Sequence, residues 1–230
     1  MGTIDLIRQI PLFASLEESD LTSLATSTRL MSLKPGQTLF HKGDEGTALY
    51  IVRRGTIKIV LPSRIGDEII VTILPEGEFF GEMSLLDGEP RSADAIAIDA
   101  SEVLVLRRND FLHFLQSNLN AIKSILALLS KRLRSTDEML EDTCFLSISI
   151  RLAKKLVELA LSHGRKDETG IHIELSLTQK ELGDMIGATR ESINKELRAL
   201  KEKKVITMKG NHIQILDLQK LKRKYTNATG

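Results

Sequence analysis

An α+β fold in three consecutive parts is predicted by three observations. Residues 30–106 are a series of short apolar runs separated by turn residues. Residues 119–142 are a long apolar-periodic stretch without glycine or proline. The last fifty-odd residues are basic and follow the order strand, helix, turn, helix, hairpin. Hydrophobic residues make up 42% of the chain and charged residues 27%, the balance of an ordinary globular protein long enough to bury cores without covalent staples.

Residues 4–29 read as one or two short helices. Pro11 interrupts the pattern, and Leu16, Leu21, Leu24 and Ala25 then recur at helical spacing. From Leu30 to Leu106 the turns are Lys34-Pro35-Gly36, Lys42-Gly43-Asp44, Arg54-Gly55, Ile65-Gly66-Asp67 and Pro75-Glu76-Gly77. The runs between them, among them Ala48–Val52, Thr56–Leu61, Glu68–Leu74 and Val103–Leu106, favour β-branched residues and alternation. Many short strands at regular spacing predict a sandwich, barrel or jelly roll.

Asn109–Gln116 reads as a short helix and Leu119–Asp142 as a long one. In the long helix Ile122, Leu126, Leu129, Leu133, Thr136, Leu140 and Thr143 follow one another at spacings of 4-3-4-3-4-3, the seam of a coiled coil. Two closures fit this stripe, packing on its own domain or against a second copy of the helix. Lys131, Arg132, Arg134, Asp137 and Glu138 around it favour the second copy. Residues 147–163 form a further amphipathic helix, and His163–Gly170 reads as a polar loop. A strand at Ile171–Leu175 and a hairpin of Val205–Met208 with Ile213–Leu216 around Lys209-Gly210-Asn211 then frame two helices. That order is a winged helix-turn-helix.

The most specific segment is Thr178–Lys204. Thr178-Gln179-Lys180-Glu181 is a capping box, and Leu182, Met185 and Ile186 give the helix it opens an apolar face. Gly187-Ala188 makes a tight turn, and Thr189 can cap a second helix, Arg190–Lys201. Ile193, Leu197 and Leu200 face inward there, leaving Arg190, Glu191, Asn194, Lys195 and Arg198 on other faces. Such a surface suits the major groove. Arg190 can grip a guanine, Glu191 can accept from a cytosine amine, and Lys195 can reach a guanine or thymine oxygen. Thr178, Lys180, Thr189 and Ser192 can hold phosphates through hydroxyls, an ammonium group and helix N-terminal amides, and Ala188 and Lys209 are further candidate DNA-binding residues. A solvated charged helix within a bundle is the plain alternative. Charge agrees with the groove: residues 1–175 carry 20 Lys/Arg and 25 Asp/Glu, whereas residues 176–230 carry 12 and 6.

Other classes are disfavoured. Cys144 is the one cysteine, and the five histidines show no ligand spacing, so neither a disulfide framework nor a metal is expected. No nucleophile–base pair is visible, so an enzyme is not expected. No leader or membrane-length apolar run is present, so the expected location is the cytoplasm.

Gln179-Lys180-Glu181-Leu182-Gly183, followed by Ile186-Gly187-Ala188-Thr189-Arg190-Glu191-Ser192-Ile193, resembles the helix-turn-helix of the cyclic AMP receptor protein (Crp/Fnr) family. Phe80-Gly81-Glu82-Met83-Ser84-Leu85, followed by Pro90-Arg91-Ser92-Ala93, resembles the phosphate-binding cassette of cyclic-nucleotide-binding β-rolls. The resemblance implies a cyclic-nucleotide-binding β-roll (jelly roll) at 1–118, a dimerisation helix and hinge at 119–145, and a winged helix-turn-helix DNA-binding domain at 146–230. It further implies a homodimer that binds cyclic AMP and a palindromic operator and works with RNA polymerase.

The cassette also makes chemical sense. A buried cyclic phosphate needs a cation and donors. Arg91 supplies a planar fork, Ser92 a hydroxyl and an amide, and Gly81 close backbone approach, while Glu82 can accept from the ribose 2′-hydroxyl. By resemblance Met83 and Ser84 belong to the same ligand-binding cassette, Arg132 lies near the phosphate and Glu82, and Thr136 contacts the adenine amine. Asp137 stands where the best-known member has serine. It either accepts from the amine, marks a changed base preference, or is a solvated charge. Lys195 replaces an arginine, so the half-site resembles TGTGA with the base opposite Lys195 open. The alternatives are a regulator of the same fold with another effector or none, a haem-bearing sensor, or a cyclic-nucleotide-binding regulatory subunit of an enzyme.

Overall fold

A computed structural model of the chain describes residues 2–10, 12–13, 16–63 and 66–229. Pro11 and Ile65, read above as a helix break and part of a turn, lie outside the described residues. The chain divides into two compact units, Met1–Arg134 and Ser135–Gly230.

The first unit opens with α1 (Thr3–Gln9) and α2 (Glu18–Ser27). Among the described residues eight strands follow: β1 (Arg29–Leu33), β2 (Thr38–Phe40), β3 (Ala48–Arg54), β4 (Ile57–Pro62), β5 (Glu68–Leu74), β6 (Phe79–Phe80), and, after the short α3 (Met83–Leu86), β7 (Asp94–Ala97) and β8 (Ser101–Arg107). They form two antiparallel four-stranded sheets, ordered β1-β8-β3-β6 and β2-β7-β4-β5, the jelly-roll arrangement that the alternating runs predict. Alternation explains how β3 is buried on both faces. Ala48, Tyr50 and Val52 join Ile57, Leu74 and Phe80 in the core between the sheets. Leu49 and Ile51 point the other way, into a second core with Ile7 and Phe13 from the N-terminal segment and Phe111 and Phe114 of α4 (Arg108–Ser117).

The long helix α5 (Leu119–Phe145, 27 residues) starts in the first unit and ends in the second. It stays helical to Phe145, into the hinge expected around Thr143–Ser147, so that only Leu146 and Ser147 separate it from α6 (Ile148–Ser162). Ala121 and Ile125 are its buried residues, whereas Leu126, Leu133 and Leu140 of the predicted seam are exposed.

The second unit continues with β9 (Gly164–Asp167), β10 (Gly170–Ile173), α7 (Gln179–Ile186), α8 (Arg190–Glu202), β11 (Ile206–Lys209), β12 (His212–Ile215) and α9 (Leu218–Thr229). Its sheet is ordered β11-β12-β10-β9. One expectation is corrected here. Residues 163–170 are not a loop, because Gly164–Asp167 pairs antiparallel with Gly170–Ile173 as an exposed strand, with Asp167 Oδ2 2.8 Å from His172 Nε2 across the pair. A second difference is α9, which the sequence reading did not anticipate. It seats Leu221, fully buried, and is started by Asp217, whose Oδ1 accepts from the Lys220 amide at 2.9 Å.

Candidate functional site

The cassette is built where the two sheets of the first unit meet. Gly81 follows β6 with φ +82, a conformation that an L side chain takes only under strain. A Cβ there would also lie 2.7 Å from Arg91 Nη1, so glycine is required twice over. The turn that it makes opens α3 and buries Glu82 (1% exposed) and Ser84, while Met83 stays exposed.

Arg91 enters from the segment before β7 and is 4% exposed. Its Nη1 donates to the Gly81 carbonyl at 2.7 Å and to Ser84 Oγ at 2.9 Å, and its Nη2 donates to the Ala48 carbonyl at 2.7 Å. Nε is buried without an acceptor among the described residues. Among the described residues every acceptor is neutral, and no carboxylate is hydrogen-bonded to the cation. Burial accordingly pushes the guanidinium pKa down, and Tyr50, Glu82 and Asp44 only partly oppose it.

Glu82 does not pair with Arg91. Its Oε1 accepts from Arg132 Nη1 of α5 at 2.5 Å, and Arg132 Nη2 donates to the Phe79 carbonyl at 2.7 Å. Glu82 Oε2 is buried with no donor among the described residues. The site thus presents one buried N–H and one buried carboxylate oxygen, both unmatched, beside a glycine cradle. A ligand that carries an anion and a hydroxyl would match that set. The Ser92 hydroxyl is exposed and meets Met83 Sδ at 3.7 Å. Thr136 and Asp137 are exposed on α5, in the second unit.

In the second unit local chemistry sets the helix pair. Thr178 Oγ1 accepts from the Glu181 amide at 3.2 Å, and Glu181 Oε2 accepts from the Thr178 amide at 3.0 Å. Gly187 ends α7 at φ 62, and Thr189 Oγ1 caps α8 by accepting from the Ser192 amide at 3.2 Å. Ile193, Leu197 and Leu200 are buried, and Arg190, Glu191, Asn194, Lys195 and Arg198 are exposed. Ala188 and Ser192 are half-buried, while Thr178, Lys180 and Thr189 are exposed and Lys180 Nζ donates to Asp184 Oδ2 at 3.0 Å. The Asn211 carbonyl accepts from the Leu177 amide at 3.2 Å, which sets the hairpin tip, with Lys209 exposed, beside the start of α7.

A long helix joining a cassette-bearing jelly roll to a winged helix-turn-helix defines a DNA-binding transcription regulator with a cyclic-nucleotide-binding domain. A family model for the cyclic nucleotide-binding domain matches residues 30–118, and one for the Crp-like helix-turn-helix domain matches residues 150–224. The chain is 33% identical over 207 residues to the cyclic AMP receptor protein of Thermus thermophilus, covering 89% of this chain and 92% of the relative. It is 28% identical over 220 residues to a CRP-like cAMP-activated global transcriptional regulator of Mycobacterium tuberculosis, covering 96% and 98%. The c-di-GMP responsive global regulator CLP of Xanthomonas campestris shares the fold, with TM-score 0.76 at 20% identity over 86% of this chain and 99% of that one. The chain belongs to the Crp/Fnr family of transcription regulators. Among the described residues no helix is long and apolar enough to cross a membrane, and no group of His, Cys, Asp and Glu could hold a metal ion.

Proposed function

We propose that this regulator responds to cyclic AMP and binds a palindromic operator as a homodimer in the cytoplasm, acting on transcription with RNA polymerase rather than by catalysis. One observation carries the effector reading: Arg91 is a buried cation whose hydrogen-bond acceptors among the described residues are all neutral, with Glu82 and Asp44 only partly offsetting its burial, and a buried charge so weakly compensated is costly unless a ligand supplies a counter-ion.

In this reading the ring-closed phosphate supplies the missing negative charge. Arg91 holds it, Gly81 lets backbone approach it, Met83 and Ser84 complete the turn, and Ser92 turns its hydroxyl from Met83 toward it. The free oxygen of Glu82 takes the ribose hydroxyl, and Arg132 carries that contact into α5. The family resemblance, rather than a contact seen here, assigns Thr136 and Asp137 to the nucleobase. Two relatives named for cyclic AMP support that nucleotide over others.

The dimer reading rests on Leu126, Leu133 and Leu140, exposed on one helix at coiled-coil spacing. A second copy of α5 would cover them and set two recognition helices about one DNA turn (~34 Å) apart, as helix-turn-helix dimers generally do. Arg190, Glu191, Asn194 and Lys195 would then read bases, and Thr178, Lys180, Ala188, Thr189, Ser192 and Lys209 would contact phosphates. Calorimetry of the full chain with cyclic AMP, cyclic GMP and c-di-GMP, followed by operator binding with and without the winning nucleotide, tests the reading. Heat with cyclic AMP and tighter operator binding in its presence are expected. Absence of heat with cyclic AMP, or equal operator affinity in both conditions, overturns it.

A further inference from the structure

Arg91 is held by more than hydrogen bonds. Its Cζ lies 4.4 Å from the centre of the Phe40 ring and 5.5 Å from that of Tyr50. Phe40 belongs to β2 in one sheet of the jelly roll, whereas Tyr50 on β3 and Phe80 on β6 belong to the other. The three rings also touch one another, with centroids 5.6 Å apart for Phe40 and Tyr50, 6.0 Å for Phe40 and Phe80, and 5.4 Å for Tyr50 and Phe80. An aromatic cluster that bridges the two sheets therefore carries the buried cation on its faces.

We propose that Phe40 is a positioning residue of the anion site: its ring covers one face of the Arg91 guanidinium and holds that plane ready for the ligand's negative charge. The proposal rests on the cyclic-nucleotide reading above and extends it to a residue outside the cassette. The physical reason is that Arg91 lies out of water with neutral acceptors only. An aromatic face stabilises a cation through its quadrupole, and more strongly once the cation is desolvated. A side chain of equal bulk without that quadrupole would fill the space but leave the guanidinium free to tilt and hydrate. Ordering it again would then fall to the ligand, at a loss of affinity.

The experiment separates ring electrostatics from bulk. Phe40→Leu, Phe40→Tyr and Phe40→Trp are compared in the full chain with phenylalanines of increasing fluorination at position 40, which keep the shape and withdraw the negative face. Cyclic AMP affinity is read by calorimetry, and the Arg91 Nε–H resonance by NMR of the same samples. Phe40→Leu is expected to bind cyclic AMP about 3- to 30-fold more weakly, with a graded loss along the fluorinated series and near-normal binding for Tyr and Trp. The Arg91 resonance is expected to lose its ring-current shift and slow solvent exchange in Phe40→Leu. Equal affinity across the series overturns the proposal. If the wild type itself binds no cyclic AMP, the effector reading has failed instead, and the NMR measurement decides the role of Phe40: an Arg91 resonance that stays protected from solvent exchange in Phe40→Leu overturns it, and a loss of protection upholds it.

Discussion

Arg132 Nη1 donates to Glu82 Oε1 at 2.5 Å, joining a carboxylate that is almost wholly buried to a guanidinium on the long helix. The second guanidinium nitrogen is bound to the Phe79 carbonyl, so one side chain of α5 ties down the β6–α3 turn at two points. Arg132→Met should leave Glu82 buried without its cation and destabilise the first unit. Because Arg132 is partly solvated, the expected cost is about 1–3 kcal/mol, below that of a fully buried pair. Urea unfolding of the variant measures it, and the double variant Arg132→Met with Glu82→Met should recover part of the loss. An Arg132→Met midpoint equal to that of the wild type would show that the pair contributes nothing.

Gly46 precedes β3 and faces Ser84. A Cβ at position 46 would lie 2.2 Å from Ser84 Oγ and 2.5 Å from Ser84 Cβ. Ser84 is buried and accepts from Arg91, so a displaced Ser84 takes a hydrogen bond from the cation. Gly46→Ala should destabilise the unit by about 1–3 kcal/mol through overpacking. It should also weaken effector binding. Adding Ser84→Gly relieves the clash, so the double variant should regain stability. Calorimetry and urea unfolding of the two variants provide the check, and an unperturbed Gly46→Ala would show that the close approach is not limiting.

Gly46 and Phe40 mark where the sequence stops being readable. The cassette Phe80–Leu85 and Pro90–Ala93 was legible because its glycine, acid and arginine lie within a dozen residues. The partners of Arg91 were not, since Ala48 and Phe40 reach it only when two sheets close over forty residues of chain. The helix pair was legible to the level of single caps, because Thr178, Glu181, Gly187 and Thr189 act on their own neighbours. β9 carries no apolar alternation in Gly164-Arg165-Lys166-Asp167, and its pairing to β10 rests on backbone bonds and the Asp167–His172 ion pair, which only the folded register brings together. α9 did leave a trace, with Leu218, Leu221 and Tyr225 at helical spacing after the capping Asp217.

His163 ends α6, and its partial burial pushes the imidazole pKa below the usual histidine value. The unfolded chain therefore takes up a proton more readily than the folded one. Stability is unaffected while pH stays above about 6.5, the unfolded value, and falls as pH drops through it toward the depressed folded value. His163→Gln removes that proton, so the urea midpoint of the variant should change less than the wild type's between about pH 7.5 and 5.5. Parallel curves for the two proteins would remove His163 from the acid response.

Arg190 and Lys209 are both exposed and basic, yet they should fail in different ways. Arg190 is the first residue of α8, next to the Thr189 cap, where a planar fork can meet a guanine edge. Lys209 ends β11 at the hairpin tip, where we expect its ammonium to meet backbone phosphate without regard to sequence. Arg190→Ala should therefore cost about 1–3 kcal/mol on the operator and relax the preference at one base pair. Lys209→Ala should weaken operator and unrelated DNA alike, and lower the slope of log affinity against log salt by about one. Fluorescence anisotropy over a range of salt, with single-base variants of the operator, separates the two. A salt slope unchanged by Lys209→Ala would take the hairpin off the DNA backbone, and an unchanged base preference in Arg190→Ala would mean that α8 reads the groove through Glu191, Asn194 or Lys195 instead.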